Sequence, residues 1–320
     1  DYIRDGYVTS LMNNMMNNRF NEIVQKGTPP FVAGGLSYSS DLPRNYNALT
    51  LAAYANEGQE AKGFEAALTE LERARRHGFT QGELNRARAE MLSDFENLYK
   101  QKDKISNDEW ASKIRDHFLT GEPLPSLDLQ YDYYKKILPG ITVKDVNSRL
   151  QELVKDDNRF VYVQGPDDRE HMTEAEAMGI IAKVAEADIK PYEDITGGTD
   201  LISEELKAAE IVKTVTLPQF AATEWTLANG ARVVFRHANY EKDNVSISGY
   251  AFGGSSFYPD SLEPALNLFP QVISMYGAGE FDNVALTKML AGKKASVSLG
   301  LQETTQTVSG SSTPKDFETM

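Results

Sequence analysis

The stretch TLANGARVVFRH at residues 226–237 decides the fold of the chain. Its polar LANG tetrapeptide is typical of a turn, and the residues after it predict a β-strand. Residues 245–252 predict a second strand, which a pair of glycines ends, and an apolar segment follows at 264–275. Turn, strand, strand and apolar segment in this order predict the opening of an α+β unit.

The composition of the chain indicates a folded globular protein. Of its 320 residues, 41% are hydrophobic and 25% are charged. The length suits about two domains, each able to bury a core. The net charge is −14 and the isoelectric point is about 4.9. Because an acidic surface repels phosphate backbones, we expect no nucleic-acid partner. The charge suits either a solubilising surface or an acidic chamber that favours basic peptides.

Several further classes are excluded or disfavoured by the sequence. The absence of cysteine excludes disulfides, cysteine nucleophiles and thiolate metal ligands. No apolar run approaches the roughly 18 residues that span a bilayer, so we expect no membrane span. The charged opening DYIRD (1–5) is not typical of a signal peptide. Residues 312–320 are typical of a helix start, and we therefore expect an internal fragment of a longer protein, the parent.

The first half of the chain predicts several helices and a few strands. A helix at 7–25 precedes strands at 31–39 and 48–55 and a helix at 62–77, which Gly78 ends. Thr80 and Glu83 predict a capping box that opens a long helix. Further helices follow, and the sequence FVYVQ at 160–164 predicts a short strand. This order predicts an α+β domain whose mostly antiparallel sheet is covered by helices on one side.

The predicted elements divide the chain into three parts. Residues 1–187 form the first α+β repeat, which ends with a helix that begins at a second capping box, Thr173 with Glu176. Residues 188–221 are rich in acids, proline and glycine and show little apolar periodicity, which is typical of a long linker or hairpin. A second α+β repeat begins at residue 222 and is truncated at residue 320.

Both halves of the chain resemble insulinase-type (pitrilysin, M16) zinc peptidases. The matching motifs of the first half are RFNEI (19–23), PPF (29–31), GFTQGELNRA (78–87), FLTGEPLP (118–125) and ITVKDV (141–146). In the second half, the LANG turn and the elements after it match the opening of a family domain. The resemblance covers nearly the whole chain. It implies that residues 1–187 are most of the second of four family repeats and that residues 188–221 are a connector between two halves. Residues 222–320 would then be the start of a degenerate third family repeat.

The resemblance also shows what this chain lacks. Family members carry two zinc-binding histidines and a glutamate base in a His-x-x-Glu-His motif on a helix, with a further glutamate ligand from a later helix. The corresponding helix here reads ALNLFPQVI (265–273) and offers no ligand. The four histidines, His77, His117, His171 and His237, are 40 or more residues apart. We therefore expect no catalytic residue, metal ligand or cofactor in this chain, while the resemblance implies zinc in the parent.

Arg19 is the candidate substrate-binding residue. In the family, an arginine on the corresponding helix of the fourth repeat helps to bind the substrate near the zinc, with a tyrosine a few residues further on. This chain matches the arginine but has Phe31 near the place of the tyrosine. The alternative is a structural salt bridge between Arg19 and Glu22 or another acid.

The resemblance implies the non-catalytic middle region of a zinc metalloendopeptidase that hydrolyses peptides in a closed chamber of two halves. This region would supply chamber wall, hinge and part of the substrate-binding surface, with a peptide and the remaining repeats of the parent as partners. The alternative is a structural or partner subunit of the same fold without peptidase activity. A third possibility is an unrelated α+β peptide-binding module, for which we would expect one compact fold. Because bacterial family members are often exported, the resemblance implies a periplasmic or otherwise exported location in a bacterium.

Overall fold

A computed structural model describes residues 2–39, 46–121, 123–195, 201–202 and 206–320. The helices are α1 (Tyr2–Val24), α2 (Glu60–His77), α3 (Gln81–Lys100), α4 (Asn107–Thr120), α5 (Leu127–Ile137), α6 (Val143–Leu153), α7 (Glu174–Glu186), α8 (Glu263–Met275) and α9 (Asn283–Met289). The strands are β1 (Phe31–Ser39), β2 (Ala48–Ala55), β3 (Ile211–Leu217), β4 (Ala222–Leu227), β5 (Arg232–Arg236), β6 (Val245–Phe252), β7 (Ala295–Leu301) and β8 (Thr305–Ser312). Among the residues described, no helix is both long enough and apolar enough to cross a membrane.

Contacts between residues divide the chain into two compact units. The first unit contains residues 1–197 together with 275–277 and 282–293, and the second contains 198–274, 278–281 and 294–320. Helix α9 therefore belongs to the first unit. The three parts predicted from the sequence, 1–187, 188–221 and 222–320, stay a prediction.

Helix α1 provides the central face of the first unit's core. Its buried residues recur at helical spacing: Val8, Leu11, Met12, Met15, Met16, Arg19 and Phe20. Strand β1 and helices α2, α3 and α6 pack around this helix. β1 pairs with β2 in antiparallel register, and Phe31 and Leu36 of β1 join the apolar core. The helix predicted from the apolar periodicity of residues 7–25 is confirmed.

The predicted helix boundaries of the first unit are confirmed by their caps. Thr80 accepts a hydrogen bond from the backbone amide of Glu83, whose carboxylate accepts one from the amide of Thr80. The same reciprocal box opens α7 at Thr173 and Glu176. Helix α2 ends at Gly78, which takes a φ of 74° that few other residues adopt. These local signals therefore positioned the helices correctly.

The second unit contains two three-stranded antiparallel sheets. One sheet has the order β3-β4-β5 and the other the order β6-β8-β7. The LANG turn joins β4 to β5, with Gly230 at a φ of 85°. Helix α8 follows β6, as the apolar segment at 264–275 suggested, and contains Pro270. The small antiparallel sheets and many helices confirm the predicted α+β class.

The strand predicted at residues 160–164 is wrong. The structure has no regular element there, and the side chains of Phe160 and Tyr162 are exposed. Preference for a strand measures how well a side chain packs on neighbouring strands, so it has no effect where a partner strand is missing. In the described part of the chain, no strand pairs with this segment.

Candidate functional site

Arg19 lies on the buried face of α1, about one helical turn after Met15 and Met16. It is 1% exposed, which is unusual for an arginine. Helices α2 and α3 pack beside α1 and bring Glu70 and Glu83 to the guanidinium. The candidate residue is therefore enclosed by the core of the first unit.

The guanidinium of Arg19 makes a two-pronged contact with one carboxylate. Nε donates to Oε1 of Glu83 at 2.6 Å, and Nη2 donates to Oε2 at 3.0 Å. Nη1 donates to Oε1 of Glu70 at 3.3 Å, and Nη2 also donates to the carbonyl oxygen of Gly78 at 3.0 Å. Burial alone would lower the pKa of Arg19, but the hydrogen bond and charge of Glu83 and the charge of Glu70 raise it. Arg19 is therefore a permanent cation.

Two aromatic rings lie against the Arg19 guanidinium. Its Cζ is 4.2 Å from the ring centre of Tyr192 and 4.8 Å from that of Phe79, distances at which a cation is attracted to a ring. Phe31, which stands near the place of the family's tyrosine, instead packs on Phe20, with ring centres 5.9 Å apart. The aromatic partners of Arg19 are therefore Phe79 and Tyr192, and the nearer ring, Tyr192, comes from a distant part of the sequence.

Tyr192 connects Arg19 to a second group of charges. Its hydroxyl donates to Oε1 of Glu22 at 2.7 Å and accepts a hydrogen bond from Nζ of Lys288 at 2.8 Å. Nζ of Lys288 also lies 3.0 Å from Oε1 of Glu22. Burial, followed by the hydrogen bond to Glu22 and then the charge of Glu22, raises the pKa of Tyr192 well above its usual value. The hydroxyl therefore stays protonated and donates a hydrogen bond to Glu22.

Asp194 completes the second group. Its carboxylate accepts hydrogen bonds from Nη2 of Arg86 at 2.7 Å and from the hydroxyl of Thr80 at 3.1 Å, and lies 3.5 Å from Nζ of Lys288. Burial raises the pKa of Asp194, but Arg86 and Lys288 outweigh that effect and leave it below its usual value. We name the whole group the Arg19 network: Arg19, Glu22, Glu70, Glu83, Arg86, Tyr192, Asp194 and Lys288.

The Arg19 network is nearly neutral, because its three cations face four carboxylates. Nε of Arg73, 2.8 Å from Glu70, supplies a fourth cation. A substrate carboxylate could reach the Arg19 guanidinium only by displacing Glu83 or Glu70. The contacts thus support the structural alternative, with acids other than Glu22 as the partners of Arg19. Substrate binding by Arg19 stays a prediction.

The histidines do not meet at one place. Nε2 of His77 lies 2.6 Å from the carbonyl oxygen of Ile189, and His171 lies between Glu60 and the carbonyl of Pro166. In the residues that the structure describes, no group of three or more histidine, aspartate or glutamate side chains could hold a metal ion. The described side chains therefore do not fit a zinc site, which the resemblance implies for the parent.

His171 is expected to make the loop before α7 sensitive to pH. Its Nε2 lies 2.7 Å from the carbonyl oxygen of Pro166, and its Nδ1 lies 3.3 Å from Oε1 of Glu60. These contacts, the carbonyl first, raise the pKa of His171 above the ordinary 6.5, because a protonated ring donates to both oxygens. Their stabilising effect is complete below the unfolded pKa and is lost as pH rises through the folded pKa.

The measurement is amide exchange of residues 165–171 from acidic to alkaline pH, after correction for intrinsic rates. We expect protection to fall as pH rises through the folded pKa of His171, measured by NMR. His171→Gln is the control, since it cannot titrate and should lose this pH dependence. An NMR pKa at or below the ordinary value, or an unchanged pH profile in the variant, would contradict the prediction.

The sequence of the chain is similar to those of two zinc proteases. The zinc protease PQQL-like of Arabidopsis thaliana is 26% identical over 234 residues, which cover 72% of this chain and 24% of that protein. The probable zinc protease PqqL of Escherichia coli strain K12 is 22% identical over 292 residues, which cover 90% of this chain and 31% of that protein. No model of a known protein family matches the chain.

Solved structures share the fold. The crystal structure of the periplasmic protease PqqL from Escherichia coli matches 98% of this chain with a TM-score of 0.52 at 20% identity, using 35% of its own length. The crystal structure of pitrilysin also matches 98% of this chain, with a TM-score of 0.54 at 11% identity, using 34% of its length. The predicted resemblance to insulinase-type zinc peptidases is confirmed, and the chain spans 24% to 35% of the length of these relatives.

Proposed function

We propose that this chain, which has the fold of part of an insulinase-type zinc peptidase, is the non-catalytic middle region of a zinc metalloendopeptidase. The observation that carries the proposal is the match of 98% of the chain to 35% of the length of a solved periplasmic protease. In the parent, this region supplies chamber wall, hinge and part of the peptide-binding surface. Two halves close the chamber around the peptide.

The residues of the chain support a structural function for it, with catalysis left to the rest of the parent. The helix at 265–273 carries no histidine or glutamate where the family places its zinc motif. Arg19, Glu70 and Glu83, three buried charges of the Arg19 network, pair with one another. In this proposal, the zinc and its ligands therefore belong to other repeats of the parent. The residues of this chain hold the wall in shape.

The proposed substrate is a peptide and the proposed location is an exported one. The net charge of −14 suits a chamber wall that attracts basic peptides, or a surface that keeps the protein soluble. The Escherichia coli relative is described as a periplasmic protease, and we extend that location to the parent. The remaining repeats of the parent are the expected protein partners.

The test is to measure the zinc content and peptidase activity of the parent, with this chain assayed beside it. We expect roughly one zinc per parent, cleavage that a chelator abolishes, and no zinc or cleavage with this chain. The control is the parent with the glutamate of its His-x-x-Glu-His motif changed to glutamine, which should retain zinc and lose activity. A parent without zinc and activity would instead support the structural subunit. Zinc bound by this chain would overturn our assignment of its histidines.

A further inference from the structure

Helix α9 belongs to the first unit, although residues 278–281 before it and 294–320 after it belong to the second. It has seven residues, all of which the structure describes, and none of them is fully buried. An isolated helix of this length does not form in water. Contacts with the first unit must therefore hold α9 in its helical form.

Lys288 makes the most concentrated set of these contacts. Its Nζ donates to the hydroxyl of Tyr192 at 2.8 Å and to the carbonyl oxygen of Ile195 at 3.3 Å. The same nitrogen forms ion pairs with Glu22 at 3.0 Å and Asp194 at 3.5 Å. The Lys288 side chain is only 7% exposed, so water screens these contacts weakly. One side chain thus joins α9 to α1 and to residues 192–195.

The packing of α9 against α1 and α3 is incomplete. A cavity of about 80 Å³ lies between α1, α3 and α9, with Val284, Thr287 and Lys288 forming its α9 side. The opposite side is formed by residues of α1 and α3 and by Gln25 just after α1, most of them of polar type: Met15, Asn18, Asn21, Glu22, Gln25, Glu83, Arg86 and Glu90. Atoms that face a cavity lose their dispersion contacts on that side. Among the described residues, Lys288 is therefore the main polar attachment of α9.

A second, smaller anchor lies just after α9. Gly292 has a φ of 79°, and a Cβ there would come within 2.7 Å of the Cβ of Ala89 on α3. The backbone of the segment thus approaches α3 closely at this point. This close approach holds the backbone after α9 against α3, while Lys288 holds the helix itself.

We propose that α9 is a strap that Lys288 pins to α1 and to residues 192–195, and that the strap can detach while the rest of the first unit stays folded. Residues 192–195 lie in the range 188–221, which the sequence predicts as the connector. The strap therefore adds to the contacts of Arg86, Thr80 and Glu22 that hold the start of the connector. Its relevance to a hinge rests on the proposed function, whereas its attachment and release rest on the contacts alone.

The test is hydrogen–deuterium exchange of the whole chain, followed by mass spectrometry, in the wild type and in Lys288→Met. Methionine keeps the length of the side chain and removes its charge. We expect the amides of 283–289 to exchange at least about tenfold faster, as the loss of a charged hydrogen bond implies. Exchange in α2 should not change. An equal rise in α2 would show that no separate strap exists, and an unchanged α9 would show that Lys288 does not hold it.

Two further variants keep the test decisive. Lys136→Met, which changes an exposed lysine of α5, is the matched control and should leave exchange at 283–289 unchanged. If Lys288→Met does not fold, Glu22→Gln weakens the same pin while keeping the lysine, and should raise exchange in α9 alone. A Glu22→Gln variant without that local rise would overturn the proposal. Because exchange needs no peptidase activity, an inactive parent would leave this test intact.

Discussion

Replacing Arg19 by alanine is expected to lower the free energy of unfolding of the first unit by about 3–5 kcal/mol, the range for removing one partner of a buried ion pair. Glu83 and Glu70, both 6% exposed, would remain in the core without the cation that they face. The carbonyl of Gly78 would lose a donor, and the rings of Phe79 and Tyr192 would each lose their contact with the guanidinium. Each of these losses acts in the same direction.

The measurement is urea denaturation followed by far-ultraviolet circular dichroism, since α1 to α7 and α9 all lie in the first unit. The matched control is Arg115→Ala, whose side chain is 60% exposed and pairs with the neighbouring Asp116. We expect the control to change the free energy of unfolding by less than about 0.5 kcal/mol. If Arg19→Ala is as stable as the control, the structural alternative is wrong and the substrate role of Arg19 gains weight.

A double-mutant cycle separates the ion pair from the packing around it. Arg19→Met keeps much of the side-chain volume, and Glu83→Gln keeps the shape of the carboxylate while removing its charge. Because the two side chains share a two-pronged hydrogen bond, we expect a coupling energy of about 1.5–3 kcal/mol between them. A coupling near zero would mean that the loss in Arg19→Ala comes from packing alone.

Local signals in the sequence predicted most of the helices of the first unit. The capping boxes at Thr80 and Thr173 and the stop at Gly78 depend on residues within one turn of each other, so a short window of sequence contains all of the relevant chemistry. The same holds for the LANG turn between β4 and β5. These features are predictable because their partners are neighbours in the chain.

The Arg19 network was not predictable in the same way. Tyr192 lies 170 residues after its partner Glu22, and Lys288 lies 96 residues after Tyr192. Nothing in the local sequence of Lys288 distinguishes it from an exposed lysine. The helical spacing of Arg19 from Met15 and Met16 was the one available signal for its burial, since it places the arginine on the apolar face of α1.

The strand wrongly predicted at 160–164 shows where local sequence signals are not sufficient. Its residues favour a strand, but a strand is stable only as part of a sheet. A helix satisfies its own backbone, whereas a strand depends on a partner that can lie anywhere in the sequence. This difference explains why the strand at 160–164 was wrongly predicted, whereas the strands predicted at 31–39 and 48–55, which pair with each other, match β1 and β2.

The second large effect is expected at Gly78, where alanine should lower the free energy of unfolding by about 3 kcal/mol. Gly78 has a φ of 74° and a ψ of −169°, a region that is essentially restricted to glycine and costs other residues about 1–3 kcal/mol. A Cβ at this position would come within 2.4 Å of Nδ2 of Asn147. Asn147 cannot move freely, because its Oδ1 accepts a hydrogen bond from the amide of Phe79 at 2.8 Å.

The strain at Gly78 would also reach Arg19, because the Gly78 carbonyl accepts a hydrogen bond from Nη2 of Arg19.

Gly179→Ala is the matched control. Gly179 lies in α7 with nothing within 4 Å of an added Cβ, so this change should raise the free energy of unfolding by about 0.5–1 kcal/mol. Urea denaturation measures both variants. Adding Asn147→Ala to Gly78→Ala should cost less than the sum of the single changes, because it removes the clash. A Gly78→Ala variant as stable as the wild type would show that the end of α2 tolerates another backbone conformation. It would also show that the backbone at Gly78 does not fix the position of Arg19.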